Sequence, residues 1–148
     1  MDREPDRMEK FDFLLGDWKL KYHVPKSSFS EADTGTGEGT IRKILGGRYV
    51  QFDYRASLNK AGTESARGIF AWDQKARIYR YWWFEDSGNF LTAAANFVDE
   101  DTLRLNWHDT LLVQTFKKRG PDQMILRMEQ PVSGGTYELI LEVQFSKK

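Results

Sequence analysis

The residues best equipped for chemistry stand on one short run, Arg-Ile-Tyr-Arg-Tyr-Trp-Trp-Phe-Glu, from Arg77 to Glu85. Alternate side chains of a pleated strand share a face, so Tyr79, Tyr81, Trp83 and Glu85 point one way and Ile78, Arg80, Trp82 and Phe84 the other. The first set predicts a pocket wall: rings for a guest to lie against, hydroxyls that donate, and a carboxylate at the end. Against a bound substrate, Glu85 has the chemistry of a general acid or base and Tyr81 that of an orienting donor. A carboxylate buried without a cation costs on the order of several kcal/mol. Glu85 is therefore expected at a wet mouth, or beside a cation such as Arg48 or Arg67.

Three other patterns carry less. His23 and His108 are the only histidines and cysteine is absent, so a metal shell would need carboxylates to complete it. His23 shares a face with Lys19 and Lys21, away from the wall, while His108 stands at a strand end beside Asp109 and is the one candidate for an axial haem ligand. Gly35-Thr-Gly-Glu-Gly39 has the glycines of a phosphate loop, but neither a following helix nor Gly-Lys-Ser/Thr accompanies them. Their strict alternation instead empties one face of a strand, which is how a barrel turns a corner. Bases and rings interleave from Arg77 to Phe84 as in a single-strand nucleic-acid groove, but Asp73, Glu85 and Asp86 cancel the charge such a groove needs.

The elements that must hold this wall read as strands of period two. Met8, Phe11, Leu14 and Leu15 fall near helical spacing, and Gly16 stops them; this predicts a short plug. Trp18, Leu20, Tyr22 and Val24 then share a face, as do Val50, Phe52, Tyr54 and Ala56 after the Gly46-Gly47 turn. Ala66, Gly68, Phe70 and Trp72 follow, and beyond the aromatic strand come Leu91, Ala93, Ala95 and Phe97, then Leu103, Leu105 and Trp107. Strands over 111–118 and 123–129 lead to a last one in which Tyr137, Leu139, Leu141, Val143 and Phe145 alternate. About ten short strands with short turns and no crossover helix predict an all-β, up-and-down antiparallel barrel, because closure removes the edges of so wide a sheet. A barrel of this size encloses room for one small ligand. Its expected wall takes Trp18, Tyr22, Phe52, Tyr54, Phe70 and Trp72 alongside Tyr79, Tyr81, Trp83 and Glu85.

At 148 residues the chain is one ordinary domain, able to bury roughly 70% of its unfolded surface. Residues 1–10 are expected to be a flexible leader and 11–148 the barrel. The 22 basic and 22 acidic side chains leave zero net charge, so no field draws the chain to nucleic acid or anionic lipid. With no cysteine, no apolar signal core and no run long enough to span a bilayer, a soluble cytoplasmic protein is expected. No cofactor is required. A homodimer through Trp82 and Phe84 stays open.

Leu14-Leu15-Gly16-Asp17-Trp18 resembles the entry motif of lipocalins, in which the Trp after Gly-x closes one end of the barrel. Together with Ile44-Leu45-Gly46-Gly47-Arg48, the Trp72-Asp73 hairpin and Tyr79-x-x-x-Trp83-x-Glu85, it is similar to a bacterial family of lipocalin-like (calycin-type) domains of unknown function. Trp72 replaces that family's usual Tyr, and Glu85 its usual Asp. Haem-binding nitrobindin-like barrels resemble the chain in topology, but Lys19-Leu20-Lys21-Tyr22 stands where they have a glycine-rich stretch. The resemblance implies a calycin-like barrel and no established activity; the ring-lined lumen itself predicts binding of a small apolar or aromatic molecule, as a carrier or sensor. Two alternatives remain: a cofactor-free decarboxylase or isomerase of small aromatic acids using Glu85 and Tyr81, and a haem-binding barrel.

Overall fold

The structure, a computed structural model, describes residues 7–148. A 3-10 helix, Arg7–Leu14, precedes β1 (Gly16–Val24), β2 (Asp33–Ile44), β3 (Tyr49–Leu58), β4 (Gly62–Asp73) and β5 (Ile78–Glu85). β6 (Phe90–Asp99), β7 (Thr102–Trp107), β8 (Val113–Gly120), β9 (Gln123–Pro131) and β10 (Tyr137–Lys147) complete the chain. Each strand pairs antiparallel with the next, and β1 pairs with β10 from Trp18↔Lys147 to His23↔Glu142, closing the barrel. An even number of meandering strands brings the first and last together antiparallel, so the seam closes with ordinary ladder bonds.

Period-two patterning places the core. In β1, Trp18, Leu20 and Tyr22 are buried while Lys19, Lys21 and His23 are exposed. The β2 glycines do what their alternation predicts: a Cβ on Gly37 would stand 2.5 Å from the Arg55 carbonyl oxygen, so the sheet bends there more tightly than any side chain allows.

The 3-10 helix closes one end. Met8, Phe11 and Leu14 are buried, and Phe11 packs against Phe70, Tyr79 and Phe97 at ring-centroid distances of 4.9, 5.2 and 4.9 Å. Trp18 Nε1 donates to the Leu14 carbonyl at 2.8 Å, and the Tyr79 hydroxyl donates to the Arg7 carbonyl at 2.6 Å. Of the leader expected over 1–10, residues 1–6 lie outside the described residues, and 7–10 belong to this plug.

β8 and β10 depart from the strands expected. β8 begins at Val113, leaving Leu111 and Leu112 in the loop before it. In β10 the register slips between Leu139 and Leu141, a bulge that turns the strand's first part away from the lumen, so Tyr137, expected inward, is exposed. No helix among the described residues is long and apolar enough to cross a membrane.

Candidate functional site

The inward residues of β3, β4 and β5 form ladder rows that step down the barrel. Glu85 pairs with Ala66 and Ala66 with Tyr54; Trp83 pairs with Gly68 and Gly68 with Phe52. The next rows hold Tyr81, Phe70 and Val50, then Tyr79 and Trp72. The two upper rows border a cavity of about 220 Å³. The two lower rows pack on the plug: Tyr81 stacks on Phe70 at 4.1 Å, and Trp72 meets Tyr79 at 4.8 Å.

Exposure grades the cavity wall by depth. Phe52, Trp107, Gln114, Leu126, Val143 and Phe145 are buried; Tyr54, Trp83 and Glu85 are half-buried; Glu64, Leu91 and Thr110 are exposed at the rim. Tyr54 stacks on Trp83 at 5.3 Å and lies 6.4 Å from the buried Tyr22 ring. Gln114 Oε1 accepts a hydrogen bond from Trp107 Nε1 at 3.2 Å, which satisfies the indole deep in an apolar wall.

Two carboxylates stand at the mouth, each held by an aromatic neighbour. The Tyr54 hydroxyl donates to Glu64 Oε1 at 2.8 Å, and Trp83 Nε1 donates to Glu85 Oε2 at 3.2 Å. Ser87 Oγ adds a 3.3 Å contact to Glu85 Oε1. Glu85 is thus at the wet mouth, paired with neither Arg48 nor Arg67; Arg67 bonds Asp53 on the outer face at 2.6 Å. Burial pushes the Tyr22 phenol above its ordinary value and the Glu64 charge adds to this; Tyr54 is raised by burial, then by Tyr22 and Glu64. Both therefore remain neutral donors across the physiological range, and neither serves as a tyrosinate base.

Of the residues expected on the wall, Tyr22, Phe52, Tyr54, Trp83 and Glu85 line the cavity. Trp18, Phe70, Trp72, Tyr79 and Tyr81 do not, because strand parity sets the face a side chain takes and not its height, and the plug claims the lower rows. Tyr81, the donor in the enzymatic alternative, is fully buried below the cavity, with its ring end against the Gly68 backbone. His108 is exposed and neither histidine borders the lumen, so the side chains present do not fit a histidine-ligated haem. Among the described residues no three His, Cys, Asp or Glu converge as a metal site would require. Glu64 was missed as a wall residue, although it stands two positions before Ala66 on a face already assigned inward. Trp107 was placed inward but not on the wall.

Residues 6–131 match the sequence profile of the family described as "Protein of unknown function (DUF1579)". The chain belongs to this family. No curated protein matches this DUF1579 chain in sequence. In shape it is similar to Rv2717c from M. tuberculosis, with a TM-score of 0.65 and 13% identity over 99% of each chain. It is also similar to a de novo designed fluorescence-activating β-barrel, with a TM-score of 0.51 and 12% identity, covering 93% of this chain and 95% of that one. A third barrel, EF1p2_mFAP2b bound to DFHBI, gives 0.53 and 9% over 95% of this chain and 98% of its own. At these identities the likeness is one of fold.

Proposed function

We propose that this chain is a lipocalin-like binding barrel whose open half holds one small apolar or aromatic molecule, as a carrier or sensor. The observation that carries this reading is the cavity of about 220 Å³, walled in its depth by apolar side chains apart from the Tyr22 phenol and the Gln114 amide, which accepts from Trp107, and charged only at its rim. Such a division suits a guest whose body is desolvated while one polar group stays near water. A designed barrel of similar fold bound to DFHBI supports it, as a case of this architecture accommodating a small ligand.

The reading is tested by titrating the protein with 1-naphthylmethanol and repeating the titration on Met128→Trp, which fills the lumen from a half-buried wall position. Saturable binding to the parent, lost in the filled variant, is the expected result. Equal binding by both, or none by the parent, would overturn it. A carrier releases its guest unaltered on denaturation, and Glu85→Gln changes its affinity for the neutral 1-naphthylmethanol only mildly. An acid-base enzyme turns substrate over, and the same substitution lowers its rate by about a hundredfold or more.

A further inference from the structure

We propose that the guest is an organic cation, an amine or quaternary ammonium on an apolar body, with its charged head held between Glu64 and Glu85. This rests on the lumen-binding reading and names the class of ligand that the lumen selects.

The wall has charge of one sign only. Among the described residues its ionisable side chains other than tyrosine are Glu64 and Glu85, and no lysine, arginine or histidine lines it. Acids on the outer face of the same strands are neutralised differently: Asp53 is bound by Arg67 at 2.6 Å and, at the far end of β4, Asp73 by Arg80 at 2.7 Å. Glu64 and Glu85 make no ion pair among the described residues. Each is instead oriented by an aromatic donor of the wall, Tyr54 for Glu64 and Trp83 for Glu85. The Tyr54 bond engages only Oε1 of Glu64, leaving Oε2 for a guest.

The rings beside the carboxylates favour the same sign of charge. Tyr54 and Trp83, stacked at 5.3 Å, adjoin both carboxylates, and aromatic rings attract a cation through their quadrupole. The field also reaches inward. The Glu64 charge contributes to raising the phenols of both Tyr22 and Tyr54, so it is felt at the lumen wall as well as at the rim. A potential that disfavours a phenolate disfavours a guest carboxylate for the same reason. This argues against the small aromatic acids of the enzymatic alternative, for which the lining supplies no cation.

The test uses one skeleton in three charge states: 1-naphthylmethylammonium, 1-naphthylmethanol and 1-naphthylacetate, each titrated calorimetrically into the intact protein at neutral pH and low salt. The cation is expected to bind about tenfold tighter than the alcohol, and the carboxylate more weakly than the alcohol. Added salt should narrow the gap, and so should Glu64→Gln with Glu85→Gln, since rim charges are screened. Binding of the alcohol as tightly as the cation, or tightest binding of the carboxylate, would overturn the charge assignment and leave lumen binding standing. A cation preference undiminished in the double variant would overturn it too, because the charge would then be read elsewhere. If the alcohol does not bind, the lumen reading falls and this assignment, which rests on it, falls with it.

Discussion

Tyr81 is fully buried, and its hydroxyl has no hydrogen-bond partner among the described residues. A buried donor without a partner costs about 1–3 kcal/mol, so Tyr81→Phe should leave stability unchanged or raise it by up to about 1 kcal/mol. Urea denaturation decides the matter: a loss larger than about 1 kcal/mol would show that the hydroxyl is bonded after all. Gly68 is the other half of this arrangement, because a Cβ there would meet the hydroxyl end of the Tyr81 ring. Gly68→Ala should cost about 1–3 kcal/mol by overpacking, and Tyr81→Phe should relieve part of that cost in the double variant. Glycine at 68 was legible in the sequence as a bare spot on an inward face. That the ring filling it comes from the row below was not legible, since side-chain lean across a sheet depends on coiling that residue types do not encode locally.

Among the elements, the plug bears most on which half of the barrel is open. Phe11 is fully buried among three rings at the closed end, far along β4 and β5 from Tyr54 and Glu85. Phe11→Ala should cost about 3–5 kcal/mol of stability through the void it leaves. Under native conditions it should alter guest affinity far less, which calorimetry alongside denaturation would separate. The strands themselves were readable because every inward face from β1 to β7 alternates cleanly, and Gly16-Asp17-Trp18 marked where the plug ends. The bulge at Leu139 to Leu141 was not readable: Tyr137, Leu139 and Leu141 keep perfect alternation in sequence, and the slip comes from how β10 must meet β9. Depth was hidden for a related reason. Tyr79 and Tyr81 have the same parity as Trp83 and Glu85, and only the helix packed beneath them decides which pair faces a cavity.

For the molecule as a whole, several carboxylates tie the turns and the seam of the barrel together. Burial opposes the charge of Asp33, but the amides of Ala61, Lys60 and Thr34 outweigh it and hold its carboxyl below the usual value. Asp73 is lowered by the Ala76 amide and by Arg80, Asp99 by the Asp101 amide, and Glu38 by Lys148. A carboxyl depressed in the folded state is protonated first in the unfolded one, so below about pH 4 the unfolded chain binds more protons and stability falls as pH falls. Urea midpoints should therefore hold steady from neutrality to about pH 5 and decline beneath about pH 4, less steeply in Asp33→Asn. A flat acid limb would contradict the role given to these carboxylates. The barrel's closure and its plug were foreseeable from strand count and period; the division of its interior into a packed half and a hollow half was not. The chain's 5 tryptophans sample that division directly. Trp83 and Trp107 border the hollow, Trp18 donates to the plug at Leu14, Trp72 donates to Gln74, and Trp82 faces outward. Following the indole N–H resonances while 1-naphthylmethanol is added should move the signals of Trp83 and Trp107 and leave those of Trp18, Trp72 and Trp82 in place. Movement confined to Trp82, or to Trp18 and Trp72, would put the guest outside the cavity and contradict the account.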